Sequence, residues 1–316
     1  MKNLKRLAPL FSVLFLLPSC AQTHYSSSNY GYGTFWYYHL FEGSQKDIEG
    51  LEQQVLSSSF ICDSDALDAP NGVAFLNKEN HAKPAPFLQN CLKFCVEMQE
   101  KTSGYFSPFT LDLKTLWLDS LSSKKIPNQE DIQAEVSKIE STSLSFVGDE
   151  AIKEGEASID LGGVGKGYCL DYLVRTLKEK GLTKYWISGG GSSIAFGENP
   201  NGRNGYTKVE LEDLPGKYVY CKNEAISTSS CKKQLYTIDG KRYSHIVNPY
   251  NGSAEVNLDA VIVKGSSAAV CDCLSTAIYA EGIDSIGRYE KEFGVSVIAI
   301  KEESVVYCSD GFQIEG

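Results

Sequence analysis

Asp160-Leu161-Gly162-Gly163-Val164-Gly165-Lys166-Gly167-Tyr168 is the most informative stretch of this chain. It places four glycines in nine residues directly ahead of the strongest helical pattern in the sequence. That pattern is Leu170, Leu173, Val174 and Leu177, with Lys178 and Lys180 in the last turn and Gly181 just beyond. Glycine lets a backbone approach a ligand closely and take a positive φ. A helix N-terminus presents unpaired N–H groups and a partial positive charge, which suits a phosphate. Lys166 adds a full charge. On spacing alone, a tight strand-to-helix turn with no ligand is an equally good reading.

Downstream, Lys184–Ser188 reads as a strand running into Gly189-Gly190-Gly191, and strands and turns continue to Val263. A helix is expected over Ala268–Ala280, and a closing hairpin from Val295–Ile300 and Ser304–Cys308. Upstream, alternation marks Thr34–Leu40 as a strand. Ile48, Leu51 and Val55 give one helical face, and Phe87, Cys91, Leu92, Cys95 and Met98 give another, ending near Gly104. Asn128 with Asp131 looks like a helix start, followed by Ile132, Val136 and Ile139. Strands and helices interleave irregularly, so the fold class is α+β. There is no internal repeat, Rossmann fingerprint or P-loop.

The 316 residues are 42% hydrophobic and 22% charged, an ordinary globular composition with room for a large core. A net charge of −10 argues against nucleic acid as a partner. A small anionic ligand would need a local device, a metal ion or a helix N-terminus. At the start, Lys2, Lys5 and Arg6 precede an apolar run from Leu7 to Leu17, too short for a mature membrane span. The run ends in Leu17-Pro18-Ser19-Cys20, which resembles a bacterial lipobox. Residues 1–19 are then a signal peptide, and Cys20 becomes an acylated N-terminus that anchors the chain to a membrane. An ordinary cleaved signal with a coincidental cysteine is the alternative. Residues 20–30 look like a Ser- and Tyr-rich tether, leaving 31–316 as the folded domain. Nine of the ten cysteines remain after Cys20, none at zinc-finger spacing, and their pairing cannot be read from sequence.

Two further segments carry chemistry. In Val270-Cys271-Asp272-Cys273-Leu274-Ser275-Thr276, Asp272 and Thr276 share one helical face and offer the hard oxygens that Mg²⁺ prefers. A solvent-facing or capping Asp with a core Thr fits as well. In Lys241-Arg242-Tyr243-Ser244-His245-Ile246-Val247-Asn248-Pro249, followed by Gly252, His245 is either a general base or a structural strand histidine.

Taken in order, these segments resemble the ApbE flavin transferases. The resemblance rests on Asp160–Tyr168, Gly190-Gly191, Thr228-Ser229-Ser230, Tyr243–Gly252 and Val270–Ala277. Weaker echoes are Tyr32-Gly33-Thr34, Gly104-Tyr105-Phe106-Ser107-Pro108-Phe109-Thr110 and Leu116-Trp117. It spans residues 32 to 290 and combines motifs in a fixed order, which makes it specific.

The resemblance implies an ApbE-like α+β fold of mixed sheets with packed helices and two subdomains flanking an FAD/Mg²⁺ cleft. It implies FAD as substrate, Mg²⁺ as cofactor, and transfer of FMN to a threonine of an exported flavoprotein subunit of a respiratory electron-transfer complex, with release of AMP. By resemblance, Mg²⁺ is held by Asp272, Thr276 and the carbonyl of Gly165, and His245 accepts the threonine proton. Asp160, Gly162, Gly163, Lys166 and Tyr168 shape the FAD pocket, with Ser107, Pro108, Phe109 and Ile246 beside it. Tyr32 stands near the flavin, and Phe60 is a second stacking candidate. The lipid anchor would hold the protein on the periplasmic side, at the inner rather than the outer membrane. The chain departs from the family pattern at Asn248, Ser107, Ser230 and Ser192. Asn248 removes a charge near His245 that would tune its orientation or pKa. Two other activities use the same parts: hydrolysis of FAD to FMN and AMP, and non-catalytic FAD binding by a lipoprotein.

Overall fold

The computed structural model describes residues 24–316. The expected signal peptide and the expected lipidation at Cys20 fall outside these residues. The chain builds one eight-stranded sheet: β1 Tyr25–Gly31, β2 Thr34–Leu40, β3 Tyr185–Gly189, β4 Ser193–Phe196, β5 Glu224–Ser230, β6 Ala260–Gly265, β7 Ser296–Lys301 and β8 Ser304–Cys308. Spatial order follows chain order and every pair is antiparallel, so the sheet is a meander with insertions in its connections.

The longest insertion, between β2 and β3, carries α1 Gln45–Cys62, α2 Val73–Glu79, α3 Pro86–Lys101, α4 Leu111–Ser122, α5 Gln129–Ser141, a small three-stranded sheet, and α6 Gly165–Glu179. Local chemistry sets their starts. Ser44 and Asp47 form a capping box on α1, Pro86 opens α3, and Asn128 accepts from the Asp131 amide at 2.8 Å to cap α5. Between β6 and β7 come α7 Ala268–Glu281 and α8 Ile286–Phe293. α7 is buried nearly all round and packs on β5 and β6, as expected of an apolar helix in a core.

Alternation along the strands assigns each face. Trp36, Tyr38 and Leu40 of β2 point inward onto α1 and α6, into a core shared with Ile48, Leu51, Leu170 and Leu173. The opposite face carries Phe196, Ile226, Ile262, Ile298 and Ile300, covered by a hairpin of Thr207–Glu210 and Tyr218–Cys221 with Leu211 and Leu214.

The α+β class, the strand at Thr34–Leu40, the closing hairpin and the helix start at Asn128 follow the sequence reading. The tether does not, because residues 25–31 form β1, fully paired with β2. Serines there alternate between faces of an edge strand, and a composition rule for linkers cannot see that. α2, α4 and α8 also went unread from periodicity. The nine cysteines among the described residues are all free, eight of them buried, with Cys308 exposed.

Candidate functional site

The centre of the site is the crossing of α6 and α7, and each helix caps the other. Asp171 of α6 accepts from the amides of Ala268 and Ala269 at 2.8 and 3.0 Å, at the N-terminus of α7. Asp272 of α7 returns the interaction. Its Oδ2 accepts from the Gly167 amide at 2.9 Å, in the first turn of α6. Orphan helix donors are satisfied by carboxylates of the favourable sign. The crossing is so close that a Cβ on Gly167 would lie 2.3 Å from the Ala268 carbonyl oxygen.

Ahead of α6, residues 160–164 form the glycine loop. The Asp160 amide donates to the Pro108 carbonyl at 2.7 Å, and Asp160 Oδ1 accepts from the Gly162 amide at 2.9 Å. Its other oxygen pairs with Lys114 Nζ from α4. Lys166 Nζ stands 3.9 Å from Asp272 Oδ2 and donates to the Gly162 carbonyl at 3.4 Å.

Beneath the loop lies a layer of hydroxyls. Ser193 Oγ donates to Asp272 Oδ1 at 3.2 Å, and Ser229 Oγ lies 2.9 Å from Ser275 Oγ and 3.2 Å from Thr276 Oγ1. Thr276 also reaches back to the Asp272 carbonyl at 3.3 Å.

His245 comes from the connection between β5 and β6. Tyr243 stacks on Trp117 of α4 with centroids 5.3 Å apart, and the Trp117 indole donates to the Gly252 carbonyl at 2.6 Å. Ser244 shares a 3.4 Å hydrogen bond with Tyr279 of α7. These contacts seat the loop so that His245 faces the cleft. Its Nδ1 is buried without a hydrogen-bond partner. Burial lowers its pKa to about 4, with Lys114 and Lys166 acting in the same direction and Asp160 against. The imidazole is therefore neutral at neutral pH, with a lone pair available. Asn248 makes its side-chain hydrogen bonds elsewhere. It donates to the Ala280 carbonyl at 2.8 Å and accepts from the Tyr250 amide at 2.9 Å, fixing the turn to the end of α7.

Together these elements wall a cleft of about 530 Å³, within the usual range of ligand sites. Tyr32, Ser107, Asp160, Gly162, Gly163, Lys166, His245, Ile246, Asp272 and Thr276 all line it. Tyr32 takes a left-handed φ of 52°, its ring lies against Gly165, and its hydroxyl turns inward to Cys62 Sγ at 3.8 Å.

Four expected contacts are not made. Phe60 sits on the outer side of α1, 47% exposed and away from the cleft. Phe109 is buried in the core because its turn is closed by its own amide donating to Ser107 Oγ. Pro108 contributes its carbonyl to the Asp160 loop and does not line the cleft. Tyr168, one helical turn past the loop, points to the far side of α6 against Phe87 and Phe94. Gly165, the first residue of α6, is buried against the Tyr32 ring.

Sequence reading missed Lys114 and Lys233 as cleft residues, and named Ser229 only within the Thr228–Ser230 motif. Lys114 carried one usable signal, the lone cation in the Leu- and Trp-rich stretch Leu111–Leu118.

No cluster of three or more His, Cys, Asp or Glu side chains able to bind a metal occurs among the described residues. A cation here would need carboxylate, hydroxyl and carbonyl oxygens, a donor set that suits Mg²⁺ and not zinc. The residues fit that ion. Asp272 is 4% exposed, and each of its oxygens keeps a lone pair beyond its one protein donor. Gly163 keeps the space beside Thr276 open, since a Cβ there would stand 3.2 Å from Thr276 Oγ1.

A family model described as the ApbE family matches residues 45–299. The FAD:protein FMN transferase of Klebsiella pneumoniae (strain 342) is 24% identical over 289 residues, which cover 86% of this chain and 82% of that protein. The protein of the same name from Escherichia coli (strain K12) is 28% identical over 189 residues, 57% of this chain and 54% of its own length. In fold, the chain is similar to the flavinyl transferase ApbE of Pseudomonas stutzeri in its apo form. The TM-score is 0.76 at 20% identity, over 91% of this chain and 95% of that one.

Proposed function

The chain belongs to the ApbE family, and from that premise we propose that it is an FAD:protein FMN transferase acting on a threonine hydroxyl of an exported flavoprotein subunit. The observation that supports this reading most is the convergence of three distant segments on one cleft: the glycine loop at the start of α6, the Asp272–Thr276 face of α7, and His245.

In the proposed reaction the threonine oxygen attacks the FMN-side phosphorus of FAD. A phosphoester bond forms, the bridging P–O bond breaks, and AMP leaves. His245 Nε2 or Nδ1, neutral in its buried setting, takes the threonine proton. Lys166 and Lys114 line the cleft as cations facing an anionic substrate. Tyr32 offers an aromatic face to the flavin. Asp272, Thr276 and the Gly165 carbonyl would hold Mg²⁺, which when bound neutralises charge on the diphosphate oxygens. Anchorage through Cys20 on the periplasmic face of a membrane completes the proposal.

The test is mass spectrometry of an exported flavoprotein subunit after incubation with the protein, FAD and Mg²⁺. The expected result is an FMN-sized mass gain on one threonine, with AMP formed in equal amount. Rapid AMP release without any acceptor would instead mark a hydrolase.

A second expectation concerns pH. Since His245 titrates at about 4 in place of about 6.5, the acid limb of kcat/KM should fall near pH 4 and not near pH 6.5. Stability moves with it. Below about pH 6.5 the unfolded chain takes up a proton that the folded chain refuses, so stability drops as pH falls from about 6.5 towards about 4. An acid limb at the ordinary histidine value would show that the cleft does not hold the His245 pKa down.

A further inference from the structure

The outer face of the sheet is covered over β4 to β7 and bare over β1 and β2. The 207–221 hairpin packs on Phe196, Ile226, Ile262 and Ile298, and Trp186 and Ile194 are its half-buried margin. Beyond that margin, register places side chains in rows across the strands. Tyr30 faces Phe35, Ser28 faces Tyr37, and Tyr37 faces Ser188. Ser26 faces His39, which stacks on Trp186 at 5.5 Å and 5°. Tyr30 and Phe35 are each 57% exposed and Tyr37 is 44% exposed, with Tyr30 and Phe35 in edge contact at 5.5 Å.

These side chains are aromatic, uncharged or weakly polar at the tip, and they stand side by side on one flat surface. Isolated exposed aromatics need no explanation, but a contiguous patch does. Rings with an apolar body and a polar tip are the side chains that settle at the level of lipid headgroups. A net charge of −10 means that broad electrostatic attraction to anionic lipid is not available, so an uncharged contact of this kind is what remains.

The position of the patch in the chain selects its occupant. Cys20 precedes Tyr25 by five residues, about 17 Å at full extension. An anchor at Cys20 therefore holds the start of β1 close to the membrane. We propose that the Tyr30–Phe35–Tyr37 face of β1 and β2 lies on the lipid bilayer surface and sets the orientation of the anchored enzyme. This rests on the lipid-anchor reading above. The consequence is functional, because the turn joining these two strands, Tyr32-Gly33-Thr34, lines the cleft, as does Ile194 at the margin of the patch. The mouth of the cleft would then open beside the bilayer, and the acceptor threonine would be reached close to the membrane surface.

The test uses the full acylated chain in vesicles of phosphatidylethanolamine and phosphatidylglycerol containing phosphatidylcholine brominated high on its acyl chains. Trp36 and Trp117 are buried, so contact is read through Trp186. The expected result is quenching of tryptophan emission that disappears in Trp186→Phe. It should also disappear in the triple variant Tyr30→Ser, Phe35→Ser, Tyr37→Ser, although that variant still pellets with the vesicles. Tyr37→Glu alone should weaken it without disturbing the fold, as judged by circular dichroism. Quenching unchanged in the triple variant and in Tyr37→Glu, or absent in wild type with acylated Cys20, would overturn the proposal. Absent quenching together with self-association that the triple variant loses would give the face to a second copy of the chain. The mass of the N-terminal peptide separates the two readings: a bare Cys20 removes the anchor, whereas acylated Cys20 without quenching removes only the orientation.

Discussion

Asp272→Asn should lower FMN transfer by about 10²- to 10³-fold, the scale of losing one preorganised electrostatic contact in an active site. The change keeps the shape and nearly all the volume of the side chain. It removes the negative charge that a divalent cation would require, and it leaves one oxygen where two accepted. Either the Gly167 amide or Ser193 Oγ then loses its acceptor. A buried donor left unpaired costs about 1–3 kcal/mol, so a modest fall in Tm should accompany the loss of activity. The two effects separate in a titration. If Asp272 holds Mg²⁺, the variant should need more Mg²⁺ for half-maximal labelling of the acceptor, whereas a purely structural role would leave that midpoint in place. Equal labelling by wild type and variant at every Mg²⁺ concentration would end the assignment of Asp272 as a metal ligand.

Gly167→Ala should be the most destabilising small substitution in the site. Its new Cβ would stand 2.3 Å from the Ala268 carbonyl oxygen and 2.7 Å from Asp272 Cβ, and both neighbours belong to a buried helix with nowhere to move. Overpacking of this kind typically costs about 1–3 kcal/mol, and a backbone obstacle places it at the upper end. Separating α6 from α7 would also pull Asp272 from its amide donor, so transfer should fail along with stability. Gly50→Ala is the matched control. It lies in α1 with nothing within 4 Å of the added carbon, and replacing a helical glycine there should stabilise by about 0.5–1 kcal/mol. Thermal unfolding of the two variants decides the matter. A Gly167→Ala melting curve superimposable on wild type would mean that the helices do not meet as described.

How far the site was legible depends on how local each part is. Glycines before a helical pattern, an i,i+4 pair of oxygens and a histidine among apolar neighbours are local features. All three segments were found from sequence and all three reach the cleft. Side-chain direction was harder. Tyr168 lies in the same motif as Gly163 and Lys166, yet it points away, because the helix turns about 100° per residue and its ring falls on the Phe87 side. Phe109 was absorbed by the core, and Phe60 faces solvent on a helix whose buried stripe is Ile48, Leu51 and Val55. β1 escaped because an edge strand of serines and tyrosines shares its composition with a linker, and only pairing with β2 distinguishes the two.

The sequence by itself determined the α+β class, the family, the loop that opens α6 and the identity of the oxygens and nitrogen offered to a ligand. These follow from residue type and spacing over a few positions, which any local reading can recover. Only the tertiary structure decided that Lys114 pairs with Asp160, that Asp171 and Asp272 cap each other's helices, and that His245 is held neutral. Each of these joins residues 46 to 105 positions apart or depends on exclusion of water by the assembled cleft. Distance along the chain carries no record of such contacts, because they exist only once the sheet has brought the insertions together.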